Sequence, residues 1–254
     1  MNTRPRPQIL TVIAIALTFA SGAADVASFT RLGGVFTSVM TGNIVLWGLA
    51  VARGSLTLAS HTAVAIAGYI AGVAVGTWIA HAVKDAAAPA ETSRAGVLPV
   101  HVIWVLVAEL TLLAGFAVGW EVSGAAPAGW AQFGLLATLA AAMGMQSSAV
   151  KDMGLTEVST TYLTGTLTGL VSSLVSPGQD TPHGLRRFGV LIGLVAGASL
   201  CGLLVATAAD GVPALPLAAL ITTIAAAIGP GWRFPGRGWR FPGRGWRSPE
   251  KRPS

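Results

Sequence analysis

Long runs of apolar residues recur along this chain, and short polar or glycine-containing segments separate them. Eight runs approach or exceed the roughly 18 residues that predict a membrane-spanning helix. They cover residues 9–27, 35–52, 61–83, 100–120, 128–150, 156–175, 188–208 and 212–228. No stretch between them is long and polar enough for a soluble domain. The pattern predicts an all-α polytopic transmembrane helical bundle.

The polar and glycine pattern of the first half returns in the second half. The run from Thr37 to Asn43 aligns with the run from Thr160 to Thr166 at an offset of 123 residues. Glycines four residues apart recur at an offset of 121, and such glycines let a neighbouring helix approach closely. These are Gly68, Gly72 and Gly76, then Gly189, Gly193 and Gly197. We predict one membrane domain, 1–228, of two tandem four-segment repeats at about 9–120 and 128–228.

The number of full spans depends on the second and sixth segments, which either cross the membrane or dip in and return. Eight spans divide the lysines and arginines outside the tail five against four, whereas six spans plus two re-entrant segments divide them seven against two. The second division agrees better with the positive-inside rule. The polar sixth segment favours re-entry, but residues 44–52 show no break. Both versions stay open, and both place the N- and C-termini in the cytoplasm.

Composition agrees with a lipid environment. The chain is 53% hydrophobic and 10% charged, against about 25% charged in soluble domains. The net charge of +6 argues little for nucleic acid, because much of it lies in the tail, 229–254. That tail repeats Gly-Trp-Arg-Phe-Pro-Gly-Arg and is predicted to be disordered. It suits an anionic headgroup layer, or is a duplicated repeat without a role.

Two acids lie inside apolar segments: Asp25 near the end of the first and Glu109 in the middle of the fourth. A carboxylate at membrane depth costs a few kcal/mol, so it pairs, takes up a proton or faces water. Ser21 and Ser28 share the helix face of Asp25, and Arg31 is a candidate ion-pair partner. Either acid is a candidate proton-responsive group, and the alternative for Asp25 is a hydrated structural acid.

The second and sixth segments carry matching threonines and glycines. Each threonine pair at i and i+4 places two hydroxyls on one helix face, where bonding to the helix's own carbonyls is the alternative role. The glycine after the second threonine allows a break that frees backbone groups for a ligand, and Gln146 either completes a site or ties two helices together. We predict a substrate or ion site between the two Thr-Gly segments. The candidate residues are Asp25, Thr37, Thr41, Gly42, Asn43, Glu109, Gln146, Thr160, Thr164, Gly165 and Thr166.

Signals for other functions are weak. The sequence contains no His-Glu-x-x-His, Gly-x-Ser-x-Gly or nucleotide-binding loop, and a single cysteine excludes a disulfide within the chain. We predict no enzyme activity, no cofactor, no metal and no nucleic-acid partner. The partners expected are the bilayer and a small molecule or ion, with a homo-oligomer left open. A secondary transporter or channel for a small solute is the first hypothesis, and its flux should be lost in Asp25→Asn. A non-transporting scaffold or regulator is the alternative.

The paired motifs resemble the YoaK-type family of bacterial inner-membrane proteins, whose function is unknown. The first signature is similar to Gly22-x-x-Asp25 followed by 34–43, and the second to Gly144-Met145-Gln146 followed by 160–166. An acid in the fourth segment, here Glu109, also fits. The family pattern has asparagine where this chain has Ser147. The likeness covers about residues 10–228 and implies a bacterial plasma membrane location, but no substrate.

Overall fold

The computed structural model describes residues 7–86, 98–153, 163–175 and 181–228. Within these ranges the chain is helical and contains no strand, which confirms the predicted all-α bundle. The tail and Thr160 lie outside the described residues. The helices are α1 (Pro7–Arg31), α2 (Met40–Arg53), α3 (Leu56–Ala86), α4 (Val100–Val122), α5 (Gly129–Asp152), α6 (Leu163–Val175), α7 (Thr181–Thr207) and α8 (Ala214–Ile228).

Six of these helices, all except α2 and α6, are long and apolar enough to cross a membrane. The 14 residues of α2 and the 13 of α6 extend only about 21 Å and 20 Å, against a hydrocarbon core of about 30 Å. The predicted second segment, 35–52, began too early. Residues before Met40 form a loop in which Gly33 and Gly34 have φ of 100° and 73°, a conformation that favours glycine.

Three helix ends meet at one side of the bundle, which we call face one. Gln132, in the first turn of α5, donates from Nε2 to the carbonyl oxygen of Arg31 at 2.9 Å. Its Oε1 lies 3.0 Å from Nε2 of His61, near the start of α3. The end of α1 and the starts of α3 and α5 therefore share a side. Since the chain enters and leaves α2 on this side, α2 does not cross the bundle.

Charged side chains join three helices at the opposite side, face two. Nζ of Lys84 lies 2.8 Å from Oδ2 of Asp152, and Nε2 of His101 lies 3.3 Å from the same oxygen. These residues end α3, end α5 and begin α4. Helices α3 and α5 therefore run parallel from face one to face two. Helix α4, which lies between them in the sequence, runs from face two back to face one.

Helix α7 runs parallel to α1. A Cβ on Gly193 would meet Ile15, and one on Gly197 would meet the backbone of Phe19. Further along, Nη2 of Arg31 donates to the Val205 carbonyl at 3.1 Å. Helix α7 therefore begins at face two, where α5 ends, so α6 also returns to its own side. The six long helices thus alternate in direction, and the two halves run in opposite senses.

The closest helix contacts join one half to the other. A Cβ on Gly72 of α3 would overlap the carbonyl of Ala141 in α5, and one on Gly144 of α5 would overlap the carbonyl of Tyr69 in α3. Helices α1 and α7, which also belong to different halves, make an equivalent close contact through Gly193 and Gly197. This pairing agrees with a repeated unit, but descent of both halves from one unit stays a prediction.

Candidate functional site

Asp25 holds the loop between α1 and α2 against α1. Its Oδ1 accepts hydrogen bonds from the backbone N–H groups of Thr37 and Ser38, both at 2.8 Å, and from the Thr37 hydroxyl at 3.1 Å. Its Oδ2 accepts the Ser38 hydroxyl at 2.6 Å. Four donors from one loop satisfy most of the capacity of a carboxylate. The predicted pairing with Arg31 is wrong, because that guanidinium donates to Val205 instead.

Two further side chains fold the same loop. Asn43, in the first turn of α2, accepts the Phe36 N–H at 2.9 Å and donates to the Phe36 carbonyl at 2.6 Å. The Ser28 hydroxyl donates to the Val35 carbonyl at 2.8 Å. These bonds give loop backbone groups partners inside the protein, which a lipid environment demands. The motif from Asp25 to Asn43 therefore forms one hydrogen-bonded unit, whose bonding partners Ser28 and Ser38 were not among the predicted site residues.

The Thr-Gly segments differ from their predicted geometry. Thr37 lies in the loop rather than on a helix face shared with Thr41, because α2 begins only at Met40. Gly42 lies within α2, so the predicted helix break is wrong there, and the irregular backbone precedes it. Thr41 is exposed whereas Asn43 is buried.

The second segment has a similar burial pattern. Thr164 and Gly165 are exposed within α6, so no break occurs at Gly165 either, and Thr166 is buried. Helix α2 packs mainly against α3, and α6 mainly against α7; among the described residues no extended interface joins α2 to α6. The described parts of the two segments therefore do not enclose the site predicted between them.

Gln146 connects the centre of the bundle. Its Nε2 donates to the Leu17 carbonyl at 3.0 Å and to Oγ of Ser21 at 2.9 Å, so α5 is tied to α1. The side chain is 3% exposed. Its Oε1 is buried and has no hydrogen-bond partner in the described ranges. Of the two predicted roles for Gln146, helix tying is therefore present, and one acceptor is left over.

Glu109 is enclosed in the middle of α4. It is 0% exposed, and neither Oε1 nor Oε2 has a hydrogen-bond partner among the residues that the structure describes. The nearest turns of its own helix bury Leu106 and Leu113. A buried polar group without a partner costs free energy in an apolar medium, and an ionised one costs more. Glu109 thus has no structural bonding role comparable to that of Asp25.

Glu109 and Gln146 lie at nearly the same depth. Helices α4 and α5 are antiparallel, and two contacts fix their register: His101 with Asp152 at one end, and Gly119 against Leu135 at the other. Counting between these contacts places Glu109 level with residues 144 and 145. Gln146 is then offset by about 3 Å of helix rise or less. Three buried oxygens that lack a donor in the described ranges therefore occur at one level of the bundle.

Two cavities among the described residues are apolar grooves. One of about 300 Å³ lies beside Asp25 and includes Phe29, Phe36 and Leu194 in its lining. A larger one, of about 420 Å³, lies between α1 and α8. Within the described ranges no three His, Cys, Asp or Glu residues come together as metal ligands do. The buried polar groups at Glu109 and Gln146 therefore carry the case for a site.

Comparison with known proteins places the chain without assigning an activity. Residues 13–228 match the model of a family described as "Protein of unknown function (DUF1275)". The "UPF0700 transmembrane protein YoaK" of Bacillus subtilis (strain 168) is 30% identical over 158 residues, which cover 62% of this chain and 64% of that protein. The match thus spans less than two thirds of the relative's length. No solved structure matches the chain.

Proposed function

The chain belongs to the DUF1275 family of unknown function, and on that premise we propose that it is a secondary transporter or channel for a small solute. Because the function of the family is unknown, the proposal rests on the geometry of this chain's own residues. One observation carries it: the Glu109 carboxyl and the Gln146 carbonyl oxygen lie at one level inside a membrane bundle, and neither has a hydrogen-bond partner among the described residues. Ionisable groups kept at such cost in membrane helices normally mark ion or substrate pathways.

Two opposed halves support this proposal. In many transporters, inverted halves enclose a site near the middle of the membrane and move relative to each other. Here α1 and α5, the first helices of the two halves, run in opposite directions, and Gln146 joins them. We propose that the halves are structural repeats and that the solute site lies beside this junction.

The charge distribution supports a cytoplasmic face two. Lys84, Lys151, Arg186 and Arg187 lie at helix ends on that side, whereas face one carries Arg31 and Arg53. Basic residues favour the cytoplasmic side of a plasma membrane. Because α1 begins at face two and α8, which follows α7 through a short turn, returns to it, both termini are cytoplasmic in this orientation. We propose the bacterial inner membrane as the location.

The predicted binding residues within the described ranges then fall into three groups. Glu109 and Gln146 line the site, while Asp25, Thr37 and Asn43 hold the loop that closes face one. The short helices outside the central contact carry Thr41, Gly42, Thr164 and Gly165. Thr166, which also lies on α6, is buried within the protein. In this proposal the second and third groups shape access to the site rather than binding the solute.

Reconstitution tests the proposal. Purified protein in liposomes should take up at least one member of a radiolabelled panel of amino acids, sugars, organic acids and inorganic ions faster than protein-free liposomes do. A matched preparation inactivated by heat controls for leak. Absence of any uptake, together with co-purification of one stoichiometric partner protein, would support the scaffold or regulator alternative instead.

A further inference from the structure

We propose that Glu109 and Gln146 form a binding site for one monovalent cation, a proton or a sodium ion, which couples to the motion of the carrier. The inference deepens the proposed function, because it names the ligand of the same region. It stands on the depth, burial and unmet hydrogen-bonding capacity of the two side chains. A site of this kind would explain why the bundle contains a buried acid that makes no hydrogen bond within the part of the chain that the structure describes.

The unmet capacity is all of acceptor type. Both oxygens of Glu109 lack a donor in the described part of the chain, as does Oε1 of Gln146. The orientation of the Gln146 amide is set, because its Nε2 meets a backbone carbonyl, which only accepts. Its carbonyl oxygen therefore remains available to a positively charged or proton-bearing ligand. Acceptor oxygens favour a cation over an anion, because an anion needs donors.

The packed helices provide no countercharge at the depth of Glu109. Helix α8 has no ionisable residue, and α5 has only Lys151 and Asp152 in its last turn. Those two lie near His101, about 12 Å of helix rise from Glu109. The ionisable residues of α3 lie toward its two ends, with Tyr69 between them bonded to Ser147. They are His61, His81, Lys84 and Asp85.

Charge balance identifies the ligand class. One carboxylate in a medium of low dielectric constant requires one positive charge, because an uncompensated charge there is strongly unfavourable. A proton shared with Gln146 or a bound sodium ion each provides it. A divalent ion would leave a net positive charge, and it commonly needs several carboxylate ligands.

Cation binding at this site acts directly on the helix contact between the halves. The amide that offers Oε1 to the cation also holds α1 through Leu17 and Ser21. Occupation of the site pulls on that amide, and loss of the cation releases it. A ligand shifts a conformational equilibrium only by such differential contacts.

Thermal unfolding and infrared spectroscopy of the full chain in detergent test this inference. Sodium, potassium and choline chloride are compared at equal ionic strength, with Glu109→Gln as the test variant and Glu121→Gln, an exposed site on the same helix, as the control. A sodium site raises the unfolding midpoint in sodium alone, and Glu109→Gln abolishes that shift. Glu109→Asp keeps the charge but shortens the side chain. The sodium concentration that gives half of the stabilisation should therefore rise about tenfold.

A proton site gives a different result. The three salts then have equal effects, and infrared spectra contain a protonated-carboxyl stretch that disappears in Glu109→Gln and shifts in Gln146→Leu. The proposal is overturned if the sodium shift or the band persists in Glu109→Gln, or if neither exists. Cation binding without solute flux would refute only the carrier, whereas normal coupled flux in Glu109→Gln would refute only this site.

Discussion

Asp25 and Glu109 are both acids in membrane-spanning helices, yet their surroundings are opposite. The Asp25 side chain accepts four hydrogen bonds from one loop, so it holds that loop against α1. Glu109 has no such donor in the described ranges. A group that is fully bonded within the chain is poorly placed to bind and release a ligand. This difference moves the expected ligand contact from Asp25 to Glu109.

Neutral substitutions at the two acids should therefore have different effects on stability. Asp25→Asn keeps one acceptor oxygen for Thr37 and Ser38 but forces the Ser38 hydroxyl to reverse its hydrogen bond, and should lower the free energy of unfolding by about 1 kcal/mol. Glu109→Gln removes a costly buried acid and should leave stability unchanged or higher in choline chloride. Unfolding midpoints of the purified variants measure both. Equal losses would contradict the distinction between the two acids.

The sequence predicted these residues as candidates but not their separate roles. An acid in an apolar segment is visible in a hydropathy pattern. The partners of Asp25, however, are 12 and 13 residues away in a loop, and their geometry depends on the backbone turning at Gly33 and Gly34. The absence of partners at Glu109 depends on helix packing, which no local pattern records.

At the scale of elements, glycines determine how closely the helices pack. Gly144 and Gly134 both lie in α5, yet a Cβ on Gly144 would overlap the Tyr69 carbonyl, whereas one on Gly134 would meet nothing within 4 Å. The four-residue glycine spacing correctly predicted that these helices contact a neighbour closely. It did not show which helix would be the partner, because a smooth face is the same for any neighbour.

Gly144→Ala should destabilise the bundle by forcing α3 and α5 apart, since dispersion contacts and close packing hold membrane helices together. Gly134→Ala on the same helix is the matched control and should be neutral or slightly stabilising, because alanine favours helix. The comparison of unfolding midpoints in one detergent decides the matter. A similar loss in both variants would show that helix propensity rather than packing governs this helix.

At the scale of the whole molecule, the apolar runs predicted the fold class but not the number of crossings. The run at 35–52 resembles a span because Val35, Phe36 and Val39 are apolar. In the structure these residues belong to a folded loop, and Val35 is fully buried there. Hydropathy does not distinguish an apolar residue in a buried loop from one in a helix. The Gln132 contacts, which join distant parts of the chain, establish that α2 returns.

Membrane topology gives a test of the six-crossing arrangement. In a Cys201→Ala background, Arg53→Cys should react with an impermeant maleimide in intact cells, and Asp85→Cys should react only after permeabilisation. Both positions are exposed at helix ends on opposite faces. An eight-crossing chain with a cytoplasmic N-terminus predicts the reverse labelling, so the experiment separates the two versions directly.

The central claim is that solute transport is coupled to a cation bound at Glu109. The most direct measurement is the initial rate of solute uptake into proteoliposomes under an imposed proton or sodium gradient, for Glu109→Gln and Glu121→Gln side by side. We predict that Glu121→Gln retains gradient-driven uptake and that Glu109→Gln loses it, although the protein remains folded. Gradient-driven uptake at the wild-type rate in Glu109→Gln would contradict the account.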